Sequence, residues 1–295
     1  MKKILLTLAA VSALTFVACS DDDDNTPKTS NLSLNVSGLE NLGANYVYEG
    51  WIIVGGSPVS TGAFNVSDSG ELSKSSFVVD SDMLSAASTF VLTIEPANDP
   101  DPSPSSTKIL AGDFSGNSAS INSNIVGDFS SSWGKFILAT PTDGENTNER
   151  SGVWFLEPGM PPQVGLGLPE LDEGWKYEGW AVINGVPVTT GKFTKLAATD
   201  EFDGFSGPMD LPAPNGADGF FPGEDFLVNA PDGVTFPTDL RGSTIVITVE
   251  PNPDNSPAPF TFKPLAKKVA DDAQDHVAID LGAGPLVTIT GTVSR

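Results

Sequence analysis

The chain has 295 residues, 38 of them acidic against 15 basic, a formal net charge of −23, and a single cysteine and a single histidine. Such a charge repels nucleic acid and anionic lipid headgroups. One cysteine with one histidine supplies neither a disulfide framework nor the ligands of an ordinary zinc site, so stability must come from burial, and the length allows two modest cores.

At the N-terminus, Lys2 and Lys3 precede an uncharged run from Ile4 to Val17 that ends in Ala18 and Cys19. The run is shorter than the roughly 20 residues that span a bilayer and has the shape of a secretory signal peptide. The small residue before Cys19 resembles a bacterial lipobox, which implies cleavage before Cys19 and its acylation. Residues 1–18 are therefore expected to be a lipoprotein signal peptide. Residues 19–30, which include Asp21 to Asp24, read as an acidic disordered tether. Acids just behind a lipidated cysteine resemble a surface-export signal, so the expected location is the outer membrane, at the cell surface, with the periplasmic face as the alternative. The membrane is then a partner only through the N-terminal lipid.

Further along, Tyr46 to Phe64 aligns without a gap to Trp175 to Phe193, sharing Tyr-Glu-Gly-Trp and Pro58/Pro187. A second block, Thr93 to Ala111, matches Thr248 to Ala266 at a larger offset. The chain is an internal duplication, with extra residues in the second copy around 195–242. Alternation of Leu32, Leu34 and Val36, and Val/Ile/Thr-rich runs at Phe90 to Glu95 and Thr244 to Glu250, read as strands. Glycine-led apolar runs follow Gly134 and Gly284, and turn chemistry recurs at "VGGSP", "INGVP" and the proline-rich loops. Pro96 and Pro251 should end their strands, since proline donates no ladder hydrogen bond. A 3.6-residue apolar period shows only weakly, around Leu265 to Ala273. The expected fold is all-β: two tandem β-sandwich-like domains, at 31–160 and 161–295, divided near the proline-rich stretch Glu157 to Glu170.

On the strand from Tyr46, alternation puts Glu49 with Trp51 on one face, and Glu178 with Trp180 likewise in the second copy. A carboxylate among apolar neighbours needs a partner. One reading pairs Glu49 with Glu95 and Glu178 with Glu250 as glycosidase-like acids. The preferred reading is structural, with Lys108 and Lys263, at matching positions, as candidate partners. Loop acids Asp99, Asp101, Asp254, Asp271, Asp272 and Asp275 could offer oxygens to calcium, but their spacing fits no EF-hand. No cofactor and no metal are expected. The phenylalanine-rich insertion holds Phe220, Phe221, Asp225 and Phe226, a candidate binding loop if its rings are exposed rather than packed.

The order Trp51, Gly56, Pro58, Gly62, Phe64, then Thr93, Glu95, Pro96 and Pro104, resembles the extracytoplasmic C-terminal domain of RskA-type anti-sigma-K factors. The second copy repeats it at Trp180, Gly185, Pro187, Gly191, Phe193, Thr248, Glu250, Pro251, Ser256 and Pro259. The resemblance implies a small β-sandwich acting outside the cytoplasm as a sensing or interaction module, here without the sigma-binding segment. The expected function is accordingly non-enzymatic: a lipid-anchored envelope protein binding an unknown envelope protein or glycan. A carbohydrate-active hydrolase using the repeated glutamates is the alternative.

Overall fold

The computed structural model describes residues 28–144, 147–210, 221–254 and 256–295. The expected signal peptide, Cys19, nearly all of the tether and Phe220 lie outside the described residues. Within them the chain is almost entirely β, as the alternation and turn chemistry lead one to expect.

The first repeat runs β1 (Thr29–Ser37), β2 (Tyr46–Val54), β3 (Ser57–Phe64), β4 (Ser76–Asp80), β5 (Thr89–Pro96), β6 (Lys108–Ser115) and β7 (Ser118–Asn122). One short helix, α1 (Ser81–Ala86), interrupts it; the Asp80 side chain caps its N-terminus by accepting from the amides of Asp82 and Met83. There follow β8 (Trp133–Leu138), β9 (Gly152–Trp154), and three two-residue strands, β10 (Leu156–Glu157), β11 (Gln163–Val164) and β12 (Leu166–Gly167). The second repeat continues with β13 (Trp175–Ile183), β14 (Val186–Phe193), β15 (Gly223–Asp225), β16 (Thr244–Pro251), β17 (Phe262–Lys268) and β18 (Ile279–Ala283), and the chain closes with β19 (Thr290–Ser294). The weak helical period from Leu265 to Ala273 is overridden: its first four residues end β17, whose Leu265 is buried in the core, and the rest form a loop and turn.

Pairing gives two large antiparallel sheets of the same design. The first has the order β3-β2-β5-β6-β7-β19-β1-β4 and the second β14-β13-β16-β17-β18-β8-β9-β15, with β12 also on β8. Each sheet curls until its edge strands, β3 and β4 or β14 and β15, approach one another, making a barrel-like body. Position by position the two orders correspond, β2 with β13, β5 with β16 and β1 with β9.

The sheets do not divide at residue 160/161. β8, which follows β7 in sequence, pairs with β18 at Ile279↔Phe136 to Leu281↔Gly134. β19, which follows β18, inserts between β1 and β7, pairing Ser33↔Ser294 to Ser37↔Thr290 on one side and Asn122↔Thr290 to Ser118↔Ser294 on the other. The second barrel is thus the continuous stretch 133–283, set between β7 and β19 of the first. Glu157 to Glu170, rather than a linker, lies within it as the β10–β11 hairpin and β12. The glycine-led run after Gly284 does not become a strand until Thr290.

The β2–β3 and β13–β14 hairpins explain the repeated block. Gly55 and Gly56 (φ 58° and 85°) and Asn184 and Gly185 (φ 53° and 86°) supply the paired left-handed residues of a two-residue hairpin turn. Tyr48 stacks on Phe64 at 5.6 Å and Tyr177 on Phe193 at 5.8 Å. The Tyr48 hydroxyl donates to the Glu40 carbonyl and that of Tyr177 to the Pro169 carbonyl, each eight residues upstream. Side chains of both barrels belong to one continuous apolar cluster. The barrels touch where Thr107 donates to the Gly174 carbonyl at 3.1 Å, and Gly174 there has no room for a side chain, a Cβ falling 2.6 Å from Ser106.

Candidate functional site

In each barrel the Tyr-Glu-Gly-Trp strand turns Tyr and Gly inward and Glu and Trp outward. Tyr48 and Tyr177 belong to the core cluster, whereas Trp51 and Trp180, though buried, do not. The outward face carries the same hydrogen-bond chain twice. Trp51 Nε1 donates to Thr93 Oγ1 at 2.9 Å, Thr93 donates to Glu95 Oε1, and Glu95 Oε1 also accepts from the Ser105 amide at 2.9 Å. Trp180 Nε1 donates to Thr248 Oγ1 at 2.9 Å, Thr248 to Glu250 Oε1, and the Phe260 amide reaches that same oxygen at 2.9 Å. The T-x-E-P glutamate therefore ties the tryptophan of one strand to the amide that follows its own proline-rich loop. Proline at the end of β5 and β16 starts that loop, and the glutamate closes it.

The Tyr-Glu-Gly-Trp glutamates sit beside this chain. Glu49 Oε1 accepts from Ser60 Oγ, and Glu178 Oε1 from Thr189 Oγ1 at 2.5 Å, each across the hairpin. Glu178 is 4% exposed and Glu250 fully buried, and burial pushes both carboxyls up to about 7. Glu95, 1% exposed, is raised for the same reason. The structure brings the expected pair Glu178 and Glu250 together and adds Asp254 to them, with carboxylate oxygens of all three inside 4.8 Å of one another.

The expected lysine partners are not the ones found. Lys108 is exposed at the start of β6, and Lys263 donates to the backbone carbonyls of Phe260 (2.5 Å) and Pro259 (3.4 Å). The cation beside Glu178 is Lys192, with Nζ 3.8 Å from Glu178 Oε2 and 2.9 Å from Asp254 Oδ2. Lys192 stands opposite Glu178 on β14; the residue opposite Glu49 on β3 is Ala63. The signal was present in the sequence. A two-residue turn at Asn184–Gly185 fixes the hairpin register, and one bulge after Gly179 brings Lys192 opposite Glu178.

The insertion of the second repeat forms β15 and packs inward. Phe221 and Phe226 are buried, and Phe202, Phe205, Phe226 and Phe236 cluster with ring centroids 4.9–6.1 Å apart. Asp225, fully buried, accepts from the Thr142 amide and hydroxyl and from Trp154 Nε1. Phe221, Asp225 and Phe226 therefore do not form an exposed binding loop: burying these rings gains more than presenting them to water. Glu224, also fully buried, accepts from Ser206 and from the amides of Phe205 and Asp225, and Asp200 from those of Phe202 and Gly223. Burial raises Asp200 and Glu224 to about 7 and Asp225 to about 6. Asp225 ties the insertion to Thr142 and to Trp154 of β9, whereas Asp200 and Glu224 hold segments of the insertion to one another; composition alone gave no sign of it, since Asp and Glu in a Gly/Pro-rich stretch usually face water.

Asp99 and Asp101 are exposed loop residues, as are Asp271 and Asp272. Asp275 lies beside Arg150 and His276 at the surface. Of the loop acids considered for calcium, only Asp254 enters a cluster of three metal-ligating side chains among the described residues.

Comparison with known proteins agrees with the first repeat and is silent on the rest. No curated protein matches the chain, and no solved structure does. One family model, described as anti-sigma-K factor rskA, C-terminal, matches residues 8–109, so that it covers the Tyr-Glu-Gly-Trp and T-x-E-P blocks of the first repeat, to which this chain is similar.

Proposed function

We propose that the protein is a non-enzymatic, lipid-anchored module of the bacterial envelope that senses or binds an envelope protein or glycan. The observation that carries this reading is the identical use of the repeated glutamates. In both barrels the T-x-E-P carboxyl is spent on a tryptophan–threonine relay and a loop amide, and the Tyr-Glu-Gly-Trp carboxyl on a hydroxyl across the hairpin. Groups held in this way position strands and loops. The likeness of the first repeat to the anti-sigma-K factor C-terminal domain supports a sensing or interaction role outside the cytoplasm.

In this reading Cys19 carries the lipid, and the acidic stretch behind it holds a negatively charged body away from anionic headgroups, at the outer membrane and facing the cell exterior. Cys19→Ala is expected to move the protein from the membrane pellet to the soluble fraction; retention in the pellet would remove the lipid anchor from the proposal. Protease shaving of intact cells then reports the face, a protected band placing the protein on the periplasmic side.

The hydrolase reading draws on one observation, the approach of Glu178 to Glu250. Both are almost wholly shielded from solvent, which argues against a sugar chain reaching them. Glycan turnover that disappears in Glu49→Gln or Glu178→Gln while the fold persists would establish that reading in place of this one.

A further inference from the structure

Glu178 on β13, Glu250 at the end of β16 and Asp254 in the loop after it bring carboxylate oxygens within 4.8 Å of one another. Two oxygens bound to one calcium ion lie at most about 5 Å apart, so a single ion can span the cluster. The hydrogen bonds of the site leave room for one. Glu178 uses Oε1 for Thr189, and Glu250 uses Oε1 for Thr248 and the Phe260 amide. The other oxygen of each, Glu178 Oε2 and Glu250 Oε2, is buried with no hydrogen-bond partner among the described residues, on side chains 4% and 0% exposed. An unpartnered oxygen on an ionised carboxylate at that depth is costly unless a proton or a cation meets it.

The cluster also has an approach from outside. A cavity of about 220 Å³ opens between the barrels, lined by Glu40, Tyr46 and Ile94 of the first and by Pro253, Asp254 and Ser256 of the second. Asp254 belongs to both the cavity wall and the cluster. The charges do not balance as they stand: three carboxyls converge, and among the described residues the one ammonium at ion-pair distance is that of Lys192, with Lys263 turned to carbonyls.

We propose that Glu178, Glu250 and Asp254 form a binding site for a hard divalent cation, calcium or manganese, entered from the cleft between the barrels, with Lys192 as its tethered competitor. The donor set is oxygen alone, which suits these ions and not zinc or copper. On binding, the Lys192 ammonium leaves Asp254 Oδ2 for solvent, which its partly exposed side chain can reach. The first repeat lacks the arrangement, because Asp99, at the position of Asp254, is exposed and Ala63 replaces Lys192. The site is independent of the envelope reading above.

The test is a calorimetric titration of the full chain carrying Cys19→Ala with calcium and with manganese, near pH 8, where protons compete least for carboxylates. The expected result is one saturable ion above the weak background that Asp21 to Asp24 give every variant. Glu250→Gln, whose amide oxygen still accepts from Phe260 and Thr248, should abolish it. Lys192→Ala should tighten it by about tenfold or more, since the ion no longer has to displace a group already in place. Lys192→Met keeps the apolar stem should the alanine variant fail to fold. Titrations of parent and Glu250→Gln that coincide would overturn the proposal. So would binding seen only when Lys192 is gone, for then the lysine is the permanent cation of the site.

Discussion

A chain ending at Ile289 is expected to lose its first barrel and keep its second, although the missing residues come last in sequence. Without β19 the hydrogen-bonding edges of both β1 and β7 are exposed, five paired positions on each side. Fully buried Val293 goes too, together with the Arg295 guanidinium that bonds the carbonyls of Leu84, Ala87 and Gly116. No compact sheet tolerates a gap in its middle, because each freed backbone group costs about 1–3 kcal/mol when buried unpaired. Limited proteolysis should cut within residues 29–122 and spare the strands β8 to β18, since these supply the whole of the second sheet. A milder variant, Val293→Ala, should lower stability by about 2 kcal/mol through the cavity it leaves. Equal protection of both barrels in the shortened chain would contradict the strand assignment.

The second large effect is a stability that falls as pH rises. Burial raises Glu178, Glu250, Asp200 and Glu224 to about 7 and Asp225 to about 6. Each of these carboxyls binds its proton more tightly folded than unfolded. Their contribution is therefore fully present below the ordinary carboxylate pKa of about 4 and is lost as pH climbs through 6 and 7, after which it stays level. Asp239, held low by Arg241, acts in the opposite sense, but at the surface, where solvent screens it. A carboxyl that titrates one pH unit higher folded than unfolded stabilises the protonated fold by about 1.4 kcal/mol, and that amount moves the midpoint of a chain this size by about 2–4 °C. Thermal melts in metal-free buffer should give a higher midpoint near pH 5 than near pH 8, with a shallower slope in Glu250→Gln. A midpoint that is flat or rises across this window would show that these acids are ionised and compensated in the folded state.

What could be read from the sequence was whatever depends on neighbours along the chain. Alternation placed β1 and β2, and Val/Ile/Thr-rich composition β5 and β16, within a residue or two of their ends, and the glycine and asparagine turns gave the hairpins. Pro96 and Pro251 do end their strands. Pairing between distant segments could not be read in the same way. β8 is a short apolar run and β19 a Thr/Gly strand with one buried valine, and neither carries a local mark of its sheet, which is set by partners more than a hundred residues away. The proline-rich stretch Glu157 to Glu170 has the composition of a linker, yet its Leu166 and Gly167 pair with the start of β8, where β9 does not reach. At the candidate site, Glu178 and Glu250 stood out through repetition, whereas Lys192 and Asp254 matter through the ways in which the two copies differ. Repetition marks what the fold requires, and departures from it mark where one copy has acquired something of its own.

The insertion of the second barrel between β7 and β19 also fixes an order of assembly. Residues 133–283 can close their sheet as soon as they are available, but the barrel that emerges first from the ribosome, or from a secretion channel, waits for the final strand. Until then β1 and β7 stay open, holding pairing partners some 260 residues away for β1, the kind of long-range closure that slows folding and prolongs exposure to misassembly. The half of the protein that resembles a known domain is, in this chain, the half that matures last.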